Sequence, residues 1–183
     1  MIGNALILMG DIGANDYNLP FFEHRPFDEV KELVPLKTIM CCVGTTVVNP
    51  GVDWYGRKNI SGARRVPFGM LEYHDEQLQA ELKRLRKLNP HVNIIFADYY
   101  NTLLRLNQEP FKYGFAKEPL SACCGVGGPY TFNLNTSCGS VGVESCNDPS
   151  KYVAWDGVHM TEAAYKSMAD GLLKGPYATP PFN

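Results

Sequence analysis

The sequence has no long hydrophobic run, no surplus of either charge and no paired-cysteine metal motif. Each absence removes a class of function. No apolar stretch approaches the ~20 residues of a helical membrane span. The opening Met1-Ile2-Gly3-Asn4-Ala5-Leu6-Ile7-Leu8-Met9-Gly10-Asp11 has no basic lead-in, and its apolar core stops at Met9, so it does not read as a secretory signal peptide. Lys and Arg number 17 against 19 Asp and Glu, a net charge of −2. That balance gives no electrostatic footprint for nucleic acid or an anionic membrane. Lys83, Arg84, Arg86 and Lys87 cluster, but on a segment that also carries Glu76 and Glu81, the pattern of a solvated helix face. Six cysteines occur without the Cys-x-x-Cys and His-pair spacing of a zinc site, which weakens a cysteine-held metal module as a reading.

What is present describes one globular domain of 183 residues, 45% hydrophobic and 20% charged. A chain of this size can bury roughly two thirds of its unfolded surface. Cys123, Cys124, Cys138 and Cys146 fall in a stretch rich in Gly, Asn, Ser and Pro that cannot form much core and gains from cross-links. Two disulfides among them allow three pairings, and adjacent Cys123 and Cys124 are expected to bridge to different partners. The sequons Asn59-Ile60-Ser61 and Asn135-Thr136-Ser137 fit the same oxidising, secretory setting. Cys41 and Cys42 have no evident partner.

Periodicity divides the chain into alternating strands and helices. Ala5 to Met9 reads as a buried strand, followed by a turn at Gly13, Asn15 and Asp16. Phe27 to Leu36 reads as a helix with Asp28 and Glu29 in its first turn. Val43 to Val48 is a candidate strand stopped by Asn49-Pro50-Gly51. The remainder of 37–70 has no clear period. Leu71, Leu78, Leu82 and Leu85 form one apolar stripe, which predicts a helix over 71–88 that ends at Asn89-Pro90. Val92 to Ala97 is β-branched and reads as a buried parallel strand with Asp98 at its carboxyl end. A helix over 99–106 follows, then the cysteine loop over 111–152. Thr161 is a suitable N-cap for a final helix reaching Leu173, stopped by Gly175-Pro176 and followed by a tail. The alternation points to an open α/β layer fold.

Two short constellations carry chemistry. In Trp155-Asp156-Gly157-Val158-His159-Met160-Thr161-Glu162, a carboxylate three residues before a histidine can reach the imidazole Nδ1–H and leave Nε2 outward as a base. The bland alternative is a turn-capping aspartate beside a surface histidine. In Gly13-Ala14-Asn15-Asp16, the Asn15 amide can donate to a developing oxyanion, or can simply serve its own turn. Together they are three polar parts of an acyl-transfer site.

Gly10-Asp11-Ile12-Gly13-Ala14-Asn15-Asp16-Tyr17-Asn18 resembles the Gly-x-Asn-Asp block of plant GDSL-type esterases and lipases, within the SGNH hydrolase superfamily. Tyr73-His74-Asp75-Glu76-Gln77-Leu78 is similar to a helix of that family. Cys123-Cys124-Gly125-Val126-Gly127-Gly128-Pro129-Tyr130 resembles its cysteine loop, and Asp148-Pro149-Ser150-Lys151-Tyr152 through Tyr165 its last block. The likeness covers residues 1–36 and 71–183. It implies a flavodoxin-like three-layer α/β fold and hydrolysis of a small-molecule carboxylic ester through a serine acyl-enzyme, with neither metal nor organic cofactor. It also implies that Asn15 is the oxyanion residue, His159 the general base and Asp156 the acid that orients it. Among plant members the chain is most similar to esterases of small acyl esters, such as acetylajmalan or sinapine esterases. The family resemblance implies an extracellular protein.

The departures matter as much. The Gly-Asp-Ser-Leu block with the nucleophile and the glycine block with a second oxyanion donor are absent from residues 1–183. Gly139-Ser140-Val141-Gly142 lacks the glycine two residues before the serine that a nucleophile elbow has. Residues 37–70 diverge from the family and are shorter. The expectation is therefore a single partial SGNH domain over 1–183, the carboxyl-terminal part of an esterase, inactive alone. With its first strand missing, the strand at 5–9 would present an open apolar edge. That edge opens a second reading: a non-catalytic interaction protein that self-associates or pairs with a complete paralogue.

Overall fold

A computed structural model describes residues 25–32, 68–116, 118–133 and 135–182. The strands expected at 5–9 and 43–48, the Asn15 turn, the open sheet edge, Cys41, Cys42 and the sequon at 59–61 lie outside these residues.

The first helix, α1, spans Phe27–Lys31, with Asp28 and Glu29 in its first turn as expected. The predicted continuation over 33–36 lies outside the described residues. Helix α2 spans Phe68–Leu88, starting three residues earlier than the leucine stripe required. Its stripe does what the spacing predicts. Leu78 and Leu82 are fully buried and cluster with Phe96 and Ile94, each such leucine contributing roughly 1.5–3 kcal/mol of burial. On the opposite face Lys83, Arg84 and Lys87 are exposed, and Arg84 pairs with Glu81 at 2.9 and 3.0 Å. Arg86 departs from the solvated-face reading. It is half-buried, and its guanidinium donates to the carbonyls of Ile94 and Thr179, both at 2.9 Å.

The strand expected at 92–97 is a correction. Val92 is half exposed, because its N–H closes a turn onto Asn89 O at 3.0 Å just after the helix. Among the described residues only Phe96–Ala97 (β1) pairs, and it does so antiparallel with Ala178–Thr179 (β2). The segment expected to be a tail is thus a strand partner, held also by the Asp98 N–H donating to Tyr177 O at 2.8 Å. Asp98 caps the next helix, α3 (Tyr99–Gln108): one carboxylate oxygen accepts from Asn101 N at 2.9 Å and the other from Asn101 Nδ2 at 2.7 Å. Among the described residues, helices with a two-stranded sheet agree with the α/β class.

The core lies where α3 meets α4 (Glu162–Lys174). Tyr100, Leu103 and Leu106 pack against Ala164 and Met168, with Phe115, Leu120, Val153 and Met160 closing the cluster. Gly171 lets the Arg105 guanidinium lie against α4, where its Nη2 donates to Ser167 O at 2.6 Å. The Tyr113 and Tyr177 rings stand 4.7 and 4.9 Å from that cation. Thr161 is the N-cap that its sequence position predicts. Its hydroxyl oxygen accepts from Ala164 N at 3.2 Å while donating to Tyr152 O at 2.6 Å, so the start of α4 is tied to the segment just before the Asp156 turn.

Candidate active site

The residues from Asp156 to His159 form a tight reversal between two bonded positions. Ala154 and Met160 make an antiparallel bridge, and Trp155 N donates to His159 O at 2.8 Å. Gly157 sits at the bend with φ +89°, a left-handed conformation that favours glycine.

Within this reversal the Asp156 carboxylate is fully engaged. Oδ1 accepts from the Val158 N–H at 2.9 Å and the His159 N–H at 2.7 Å, while Oδ2 lies 2.7 Å from His159 Nδ1. A carboxylate that close selects the Nδ1–H tautomer, because an unprotonated Nδ1 would face a like lone pair. The His159 side chain is 67% exposed and that of Asp156 21%. The acid is therefore sheltered and the ring open, with Nε2 free of any partner among the described residues. Partial burial raises the Asp156 carboxyl, but the bonds from the His159 ring and the two N–H groups outweigh it and hold the group below the ordinary aspartate value.

The sign of the linkage follows. A carboxyl depressed in the folded state contributes stability above its unfolded value, near 3.9, and that contribution is lost as pH falls through the lower folded value. Urea midpoints measured down a pH series should show the parent losing more stability than Asp156→Asn below about pH 4. Parallel acid limbs for the two proteins would contradict this.

The reversal leans on the cysteine loop. Cys123 bonds to Cys146 and Cys124 to Cys138, so the adjacent cysteines do bridge to different partners. All four sulfurs are committed to covalent bonds and are not thiolate ligands. The backbone of the same two residues supports the site: Cys123 N donates to Ala154 O at 3.0 Å and Cys124 N to Trp155 O at 2.7 Å. Ala122 and Ala154 form a parallel bridge beside them. Periodicity gave no sign of this contact, which joins segments about thirty residues apart in a loop-rich sequence. A groove of about 430 Å³ beside Arg105, Lys166 and Asp170 includes neither Asp156 nor His159. Among the described residues no three His, Cys, Asp or Glu side chains converge as metal ligands.

The model of the GDSL-like lipase/acylhydrolase family matches residues 4–172, nearly the whole sequence. The chain belongs to that family. Three GDSL esterase/lipases of Arabidopsis thaliana are 62%, 54% and 54% identical to it over 208 residues, in each case covering 100% of this chain. The chain in turn covers 53%, 53% and 54% of them, so this family member spans about half the length of the curated relatives it matches. The matched span takes in the Asp156–His159 reversal and the whole cysteine loop. It also takes in Asn15, which lies outside the described residues. Among the described residues no helix is long and apolar enough to cross a membrane.

Proposed function

We propose that this chain carries the acid–base half of a carboxylic ester hydrolase that works on small acyl esters through a serine acyl-enzyme. His159 Nε2 takes the proton of the attacking hydroxyl and returns it to the leaving alcohol. Asp156 keeps the ring in the Nδ1–H tautomer and stabilises the imidazolium that forms. The Asn15 amide donates to the oxyanion of the tetrahedral intermediate. The observation that carries this reading is the 2.7 Å contact between Asp156 Oδ2 and His159 Nδ1 on a ring that is otherwise open. A carboxylate that only capped the turn would need Oδ1 alone; Oδ2 has no capping work left and meets the ring. The family supports the reaction class.

No serine in residues 1–183 stands in a Gly-Asp-Ser-Leu block, so the chain by itself is inactive on this reading. The two disulfides and the exposed Asn135 of the second sequon support an oxidising, secretory setting with glycosylation at that residue. The test uses two proteins: residues 1–183 alone, and the same residues joined to a donor segment that carries both the family's Gly-Asp-Ser-Leu block and its glycine block. The first should hydrolyse p-nitrophenyl acetate no faster than buffer, and the second should turn it over. Activity of 1–183 that depends on His159 would overturn the assignment of the nucleophile. A folded but inactive fusion would count against the base.

A further inference from the structure

The turn between acid and base is filled from outside by one aromatic ring. Gly157 is buried, and a Cβ built on it would overlap the Phe132 ring, so the Cδ2 edge of the ring rests directly on the Gly157 backbone. The contact joins positions far apart in sequence, and neither residue bonds to the other through polar atoms. Its placement is nonetheless specified. Tyr130 and Thr131, just before Phe132, both have positive φ, at 59° and 58°. Two successive non-glycine residues in the left-handed region, one of them β-branched, persist only where their surroundings determine them.

Those surroundings are the scaffold of the acid–base turn itself. Ala122 N donates to Tyr130 O at 2.9 Å, and the Thr131 hydroxyl lies 2.6 Å from Ala122 O and from Tyr130 O. Ala122 is also the residue that bridges Ala154. One backbone position therefore fixes both the strained 130–131 pair that aims the ring and the strand position that opens the turn. Gly125 and Gly128 tighten the arrangement, since a Cβ on either would strike the Thr131 or Phe132 carbonyl oxygen.

We propose that Phe132 is a positioning residue for the Asp156–His159 pair, acting through Gly157. It rests on the assignment of His159 as base made above. The half-buried ring blocks the inward swing that Gly157 would otherwise allow, because a glycine backbone at φ +89° has neighbouring conformations of similar energy. Without the ring, the turn samples forms in which the carboxylate no longer faces Nδ1. The chemistry is untouched; the fraction of molecules poised for it falls.

The experiment is nitrogen-15 and proton NMR of residues 1–183, reading the His159 tautomer and the solvent exchange rate of its Nδ1–H. Asp156→Asn serves as the reference for a broken pair. Phe132→Ala is expected to speed Nδ1–H exchange about tenfold and to shift the neutral ring toward the Nε2–H tautomer. Phe132→Tyr, which keeps a ring on Gly157, should restore both signals. Phe132→Leu, which removes less of the contact and leaves the Gly157 backbone unaltered, should disturb them in part, and it stands in if Phe132→Ala does not fold. In the fusion that carries the serine block, Phe132→Ala should lower kcat with KM unchanged. Unaltered tautomer and exchange in a folded Phe132→Ala or Phe132→Leu, with both signals lost in Asp156→Asn, would overturn the proposal and leave the base intact. Signals insensitive to Asp156→Asn would instead remove the acid–base reading beneath it.

Discussion

Replacing His159 by Ala, in residues 1–183 joined to the family's serine block, is expected to lower kcat for p-nitrophenyl acetate by about 10⁶-fold. The size follows from the proposed role of Nε2 as the base, to which no hydrogen bond runs among the described residues. A serine hydroxyl without a base is a weak nucleophile at neutral pH, and what remains is binding plus oxyanion stabilisation. Asp156→Asn should fall short of that loss, at about 10⁴-fold, because the amide keeps the turn's shape but favours the wrong tautomer. The ordering is the sharper test. A fold-preserving His159→Ala that costs less than Asp156→Asn would mean that the ring is not the proton carrier. Since the His159 side chain is 67% exposed and outside the core cluster, circular dichroism of the variant should match the parent.

The second large effect is on stability. The Cys123–Cys146 and Cys124–Cys138 bonds close separations of 23 and 14 residues. In the chain-entropy description each constrains the unfolded chain by about 3 kcal/mol. At this chain length, loss of either should lower Tm by roughly 6–12 °C. The 124–138 loop lies inside the 123–146 loop, so removing both costs less than twice one. Alanine rather than serine is the right replacement at 123 and 124, because both positions are buried beside the core and a hydroxyl there would need a new partner. Differential scanning calorimetry of Cys124→Ala/Cys138→Ala against the parent measures the effect. A Tm unchanged within error would mean that hydrogen bonds alone hold the loop. The same variant should weaken the acid–base turn, whose Trp155 carbonyl accepts from Cys124 N.

How legible this was in the sequence depended on distance along the chain. The α2 helix was readable because Leu78 and Leu82 report burial through local spacing, and the α4 cap because Thr161 acts on Ala164, three residues on. The Asp156–His159 pair was readable for the same reason. The pairing of Ala178–Thr179 with Phe96–Ala97 was not, since Arg86 reaches Thr179 across 93 residues and no periodicity encodes that. Val92 is β-branched, which favours a strand, but the Asn89-Pro90 turn directs it to solvent. Nothing in the local sequence marks Phe132, because Tyr130 and Thr131 adopt a glycine-like conformation without being glycine. Asn15 had a motif to announce it but lies outside the described residues.

The bonds of the Asp156 carboxylate begin and end within four consecutive residues, closed by Trp155 N on His159 O and the Ala154–Met160 bridge and supported from outside at 122–124 and 132. Such a unit closes largely on itself and leans on few neighbours. None of these bonds requires a hydroxyl opposite the ring, so while the supports at 122–124 and 132 hold, the imidazole keeps its heading for any nucleophile that is brought to it.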